Sequence, residues 1–323
     1  MSAFDERNGS WIEDVAEMAP FFMTLVSGGD RWMYLASTGG LTAGRRDPDG
    51  ALFPYETDDR LCAADGTVGA RTVIWASRNG VRTRWEPFLR ATDGLQRVHR
   101  RLWKSSLGDE VVFEERHEEL RATIRWSWRS GARFGFVRSA ELRNDGDQPL
   151  SIRMVDGLLG VMPACVERPL QAGFSNLVDA YKIAERGPGS ALALFRLSSI
   201  PIDRAMPNEA LWANAAWLRG LPNPTLLLSP RQLRAFRLGQ PVAEERCVRG
   251  SPGALLACTE FELGAGASMR WMLGVDGKVD AAAAGALARD LGEGNEVTAQ
   301  LDAAIRADFD ADRARLLAHV AAV

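Results

Sequence analysis

The chain is poor in the residues that most often carry chemistry. Its 323 residues include three histidines, His99, His117 and His319, and four cysteines, Cys62, Cys165, Cys247 and Cys258. The cysteines lie far apart and form no CxxC pair, so they read as buried free thiols of a cytoplasmic protein. Lysine occurs only at Lys104, Lys182 and Lys278, which leaves arginine to supply nearly all positive charge. A GC-rich coding sequence is the blander cause; bidentate contact with oxyanions or sugar hydroxyls is the functional one. Net charge is −3, without the basic excess of a general nucleic-acid binder. No apolar run approaches the roughly 20 residues that span a membrane. The N-terminus MSAFDERNGSWIEDVAEMAP lacks the apolar core of a secretion signal. GxSxG, HExxH, P-loop and Rossmann fingerprints are missing too. No metal, cofactor, nucleic acid or membrane is therefore expected.

Strand signals dominate what is present. RWMYLAST, ARTVIWAS, VRTRWEP, LQRVHRRLW, EVVFEERHEEL, RATIRWSWRS and RFGFVRSAELRN follow one another between Arg31 and Leu159. Asn79-Gly80, Asp93-Gly94 and Gly108-Asp109 punctuate them with turn residues. Arg121, Thr123 and Arg125 alternate with Ala122, Ile124 and Trp126, the pattern of a sheet with one wet and one dry face. Many hairpin-spaced strands in succession predict an antiparallel sandwich over residues 1–277. SAELRNDGDQPLSIRMVDGLLG predicts a long hairpin turning at Asn144–Asp147, with Pro149 opening the return strand. RPLQAGFSNLVDAYKIAERGPGS predicts a short helical or irregular piece, then a strand near Ala180–Ala184. After Gly277 the sequence turns alanine-rich. Leu301, Ile305, Phe309, Leu316 and Val320 share one helical stripe, so residues 278–323 predict two helices.

Few constellations suggest chemistry. In EERHEEL, Glu115, His117 and Glu119 would share a strand face. A metal site or an acid/base cluster is the sharper reading, and a solvated strand face is favoured over it. A His99–His117 pair across neighbouring strands is open. Trp75, Trp85, Trp103, Trp126 and Trp128 lie in strands, where core packing is favoured over sugar stacking.

The segment STGGLTAGRRDPDGALFPYETDDRL mixes glycines, arginines, acids and aromatics, and reads as an ordered polar surface. Together with AELRNDGDQPLSIRMVDGLLG, NLVDAYKIAE and IDRAMPNEALWANAAWLRGL, it resembles the N-terminal region of large bacterial proteins related to cellobiose phosphorylase. That resemblance covers essentially the whole chain. It implies a galactose mutarotase-like β-supersandwich followed by linker helices, working with an α/α-toroid catalytic domain that is either supplied by a separate partner chain or lost from this one. The family's catalytic aspartate belongs to the toroid, so none is carried over here. The resemblance also implies an oligosaccharide or sugar ligand, and homodimer contacts.

On this reading the Gly39-Gly40 to Arg60 segment is a loop at the rim of a carbohydrate site. Arg45, Arg46 and Arg60 would meet hydroxyls or phosphate, Tyr55 would stack on a ring, and Asp58 or Asp59 would accept hydroxyl protons. The alternative is a loop whose arginines pair with its own aspartates. Two other functions compete: a stand-alone aldose epimerase using His99, His117 and Glu115, and a structural or oligomerising module.

Overall fold

The computed structural model describes residues 8–63, 66–90, 94–187, 191–199, 211–292 and 295–322, with backbone only at 58, 59, 172, 174–176 and 295–298. Its strands are β1 (Gly9–Ile12), β2 (Phe22–Leu25), β3 (Arg31–Ala36), β4 (Leu41–Arg45), β5 (Gly69–Arg78), β6 (Val81–Trp85), β7 (Val98–Ser105), β8 (Glu110–His117) and β9 (Ala122–Gly131). They continue with β10 (Gly135–Asn144), β11 (Leu150–Val161), β12 (Lys182–Arg186), β13 (Leu192–Leu197), β14 (Ala213–Arg219), β15 (Thr225–Leu227), β16 (Cys247–Arg249), β17 (Gly253–Leu263) and β18 (Ser268–Val279). The helices are α1 (Asp58–Ala63), α2 (Arg168–Tyr181), α3 (Leu233–Arg237), α4 (Ala281–Asp290) and α5 (Asn295–Ala321).

The strands form three antiparallel sheets. A ten-stranded sheet runs β1-β7-β8-β9-β10-β18-β14-β13-β12-β16, a five-stranded one β15-β17-β11-β5-β6, and a three-stranded one β2-β3-β4. The fold is thus a mainly β antiparallel sandwich followed by C-terminal helices. One core joins all three sheets, with Met33 and Leu35 from the smallest, Ile74, Met154 and Leu255 from the second, and Phe113, Trp126 and Leu273 from the largest.

Alternation explains how the largest sheet is buried twice. Phe136, Ala140 and Leu142 of β10, and Ala216 and Leu218 of β14, face the sandwich core. Their neighbours Val137, Ala215 and Trp217 face the other way, under Leu301, Ile305 and Phe309 of α5. Asp308 of the same helix accepts the backbone N–H groups of Ala132, Arg133 and Phe134 at 2.9, 2.9 and 3.0 Å. A side chain at Gly131 would collide with that carboxylate, its Cβ falling 2.1 Å from Asp308 Oδ2. The Asp280 carboxylate caps α4 by accepting the Ala283 N–H.

Several expectations need correction. Strands β10 and β11 are not a hairpin; they belong to different sheets, and the Asn144–Pro149 turn carries the chain across the sandwich. Asn144 makes this possible. Its buried Nδ2 donates to Gln148, Leu263 and Gly264 carbonyls, tying this crossing to the neighbouring one between β17 and β18. The middle segment is helical and then a strand, as expected, with α2 running directly into β12. The polar segment after Gly39 is no mere loop, since Leu41–Arg45 is a strand and Asp58–Ala63 a helix. Short inward residues, Leu41 and Ala43, give that strand its dry face. None of the four cysteines forms a disulfide among the described residues, but Cys247 is exposed and only Cys258 is buried. No described helix is long and apolar enough to cross a membrane.

Candidate functional site

The outer face of the three-stranded sheet carries a row of aromatic rings. Period-2 alternation sends Arg31, Met33 and Leu35 of β3 inward and Trp32 and Tyr34 outward. The Phe22 ring lies 6.2 Å from Tyr34, edge to face; Tyr34 lies 5.8 Å from Trp32; Trp32 lies 5.8 Å from Tyr55, edge to face. Arg168, at the start of α2, sits 5.5 Å above the Tyr55 ring. Phe22 is 48% exposed, and the other three rings are half-buried. Gly44 permits the arrangement, because a Cβ there would lie 2.6 Å from Trp32 Cζ2. Trp32 also packs against the buried cluster of Ala51, Met162, Val166, Val178 and Leu197, yet its indole Nε1 is buried without a hydrogen-bond acceptor among the described residues.

At the end of β3 the chain enters a cleft. It is small and open, and is lined by Val15, Met18, Ser37, Thr38, Phe88 and Arg100, with exposed Arg90 beside them. Phe88 holds a left-handed backbone at φ 59°, a costly conformation for a bulky residue. Its N–H donates to Glu115 Oε2 at 2.6 Å, and its ring packs on Phe113 and Trp126. Arg100 Nε donates to the same carboxylate oxygen at 2.6 Å, and Trp85 Nε1 donates to Oε1 at 2.5 Å. Glu115 is therefore a buried anchor.

The predicted site residues do not gather at one point. Arg45 makes a bidentate contact with Asp30, both bonds at 3.1 Å, and Arg46 lies 3.9 Å from the same carboxylate. Arg46 itself is exposed at a left-handed φ of 62°. Arg60 is exposed and lies 3.9 Å from Glu56. Asp47 caps its own turn by accepting the Asp49 and Gly50 N–H groups. Tyr55 joins the aromatic row. The side chains of Asp58 and Asp59 lie outside the described residues. The part of the IDRAMPNEALWANAAWLRGL segment before Leu211 lies outside them as well.

EERHEEL is not a solvated face. Glu115 and His117 are both fully buried, because their strand face looks into the sandwich. Glu119 follows the strand and is exposed. His117 Nδ1 accepts the Leu120 N–H, its ring meets Trp85 edge to face, and Nε2 finds no partner among the described residues. Burial pushes the His117 imidazole pKa down, opposed by the nearby Glu119 charge. His99 points to the opposite face, exposed, with Nε2 at 2.6 Å from Glu118. In register His99 faces Arg116 and Val98 faces His117, so the two histidines lie on opposite faces of the sheet. Trp85, Trp103, Trp126 and Trp128 are core residues, as favoured, while Trp75 is half-buried beneath Arg82.

Sequence reasoning weighed five other tryptophans and passed over Trp32, Tyr34 and Phe22. The signal was available in RWMYLA, where Arg, Met and Leu alternate with Trp, Tyr and Ala. It needed the knowledge that Met33 and Leu35, not the rings, face the core.

No protein-family model matches the chain, and no curated protein matches it. Solved structures resemble it in shape. A putative aldose 1-epimerase from Escherichia coli K12 is 11% identical, with a TM-score of 0.44 over 80% of this chain and 99% of that one. An aldose epimerase homologue from C. elegans is 10% identical, with a TM-score of 0.45 over 80% and 99%. A bacterial glucoamylase complexed with acarbose is 11% identical, with a TM-score of 0.47 over 86% of this chain and 35% of its own. The chain also spans 32% of the length of a polysaccharide lyase it resembles.

Proposed function

We propose that the chain is a carbohydrate-binding β-sandwich without chemistry of its own, acting beside a glycoside-processing catalytic domain such as an α/α-toroid. The observation that carries this reading is the row Phe22, Tyr34, Trp32 and Tyr55 on the outer sheet face, exposed at Phe22 and half-buried along the rest. Aromatic faces suit the C–H faces of a sugar ring, while Tyr hydroxyls and the Arg168 guanidinium suit its hydroxyl edge. Tyr55 is the member of the sequence-predicted set that this reading retains. The sealed positions of Glu115 and His117 support binding over turnover.

Calorimetric titration with neutral oligosaccharides tests the proposal. Phe22→Ala and Tyr34→Ala should each weaken binding roughly tenfold with unchanged circular dichroism. Unaltered affinity in both variants would refute the site. Interconversion of sugar anomers by the chain alone, followed by NMR, would replace the reading with an epimerase.

A further inference from the structure

The exposed end of the aromatic row continues into an apolar shelf. Met18, Ala19, Pro20 and Phe21 lead into Phe22, and none of these side chains carries a charge or a nitrogen or oxygen atom. The segment is extended. Met18 has φ −90° and ψ 151°. Ala19 precedes a proline, which disfavours helical backbone, and the Pro20 ring fixes its own φ. Phe21 already belongs to the ladder with the chain after β3: its carbonyl accepts the Ser37 N–H at 2.8 Å, and its N–H donates to the Ser37 hydroxyl at 3.2 Å. At about 3.3 Å per residue, Met18 to Phe22 spans roughly 13 Å. Buried Val15 seats the short turn before the shelf, and the Met18 N–H closes that turn on the Val15 carbonyl at 3.3 Å. Met18 is 49% exposed and Phe22 48%, Ala19 is exposed and Pro20 half-buried. An exposed apolar run on an ordered segment marks a contact.

The size and the rim of the shelf select its occupant. A stable protein interface takes about 800 Å² from each partner, far more than this short segment supplies. Asp14 and Glu17 stand exposed beside it, so two copies meeting here about a two-fold axis would oppose like charges. Pro20 lacks an N–H, and those of Met18 and Phe21 are already engaged, so the shelf has little to offer a sugar hydroxyl. What fits is a small apolar group. Phe22 is the exposed ring of the row and meets Tyr34 edge to face, so a sugar stacked there has the shelf beside it. We infer that the shelf takes an apolar aglycone, so that the ligands recognised are aryl or alkyl glycosides, with the sugar at Phe22 and Tyr34 and the aglycone along Pro20 and Met18. The inference rests on the carbohydrate reading above and names its ligand class. The rings orient the sugar, and the shelf adds affinity by taking apolar area out of water.

The test titrates the full chain with the phenyl and methyl glycosides of cellobiose and of maltose, followed by NMR. The phenyl glycoside should bind roughly tenfold tighter than the methyl one for at least one of the two sugars. Met18→Ser should remove most of that gain, leave the methyl glycoside affinity unchanged and keep the melting temperature, since the side chain is exposed. Met18→Leu should retain the gain. Equal binding of phenyl and methyl glycosides, or a gain that Met18→Ser leaves intact, overturns the inference while the aromatic row stands. Self-association of the chain in sedimentation, abolished by Met18→Ser, would give the shelf to a second copy and overturn it too. No binding by any of the four glycosides or by unsubstituted oligosaccharides defeats the carbohydrate reading and this inference together.

Discussion

Arg138 lies 4.8 Å from the centre of the Trp126 ring, and Arg168 lies 5.5 Å from that of Tyr55. The first stack is inside the sandwich and the second is at its surface. Arg138 and Asp156 are both fully buried; Arg138 Nη1 donates to both Asp156 oxygens at 2.8 and 3.0 Å. Thr72 and Trp271 donate to the same carboxylate at 2.6 Å each. Four strands from two sheets thus converge on one carboxylate, and every oxygen is answered. At the surface Tyr55 is half-buried and Arg168 is exposed. A cation over a ring is worth about 0.5–1 kcal/mol when exposed and about 2 kcal/mol or more when dry. The difference teaches where each cluster acts. The buried one holds the sheets in register and offers a ligand nothing; the open one contributes little to folding and keeps its rings available.

That contrast can be broken at its strongest point. Asp156→Ala should destabilise the protein by about 3–5 kcal/mol, since Arg138 would be left charged and unpaired in the core. Urea denaturation measures this, and a loss below about 1 kcal/mol would mean that the buried pair does not clamp the sheets. The next effect is at the helical side. Asp308→Ala should cost about 1–3 kcal/mol by leaving three backbone N–H groups without their acceptor. Hydrogen exchange should rise first in α5 and at Ala132–Phe134. Exchange unchanged there would show that Leu301, Ile305 and Phe309 alone seat the helix.

The sheets were legible because alternation and turn residues are local. Asn79-Gly80 reads as a hairpin and is one, joining β5 to β6 with φ of 51° and 79°. The C-terminal helices were equally plain from their stripe. What hid was sheet membership. Asn144-Asp145-Gly146-Asp147 makes the same tight turn whether the chain returns beside β10 or crosses to the other sheet, and only the distant carbonyls of Leu263 and Gly264 decide. Buried charges hid for a related reason. Arg138 shares parity with Phe136, Ala140 and Leu142, which marks it as inward, but its partner Asp156 is on another sheet. The aromatic site was missed because Trp32 and Tyr34 look like core residues until the opposite face of β3 is seen to be drier.

Acid should probe the buried side more gently. Burial lowers the His117 pKa, so the folded protein keeps the imidazole neutral where the unfolded chain has already taken up a proton. The stabilisation is complete above the unfolded value of about 6.5 and is lost as pH falls below it toward the depressed folded value. One proton limits the slope to about 1.4 kcal/mol per pH unit. His117→Gln should flatten the stability profile between pH 6.5 and 5; an unchanged slope would assign acid sensitivity to other groups.

The smallest effect sharpens the surface side. Arg45 was expected to reach a ligand, but its guanidinium is engaged by Asp30 in a partly exposed pair. Such pairs contribute about 0–1 kcal/mol, because water screens them and long side chains lose freedom in making them. Arg45→Gln should therefore change stability by less than about 1 kcal/mol and leave oligosaccharide affinity where it was, in contrast to Phe22→Ala. A variant that binds several-fold more weakly with its melting point intact would return Arg45 to the site. It would also extend the recognition surface from the outer rings of β3 onto the turn that follows β4.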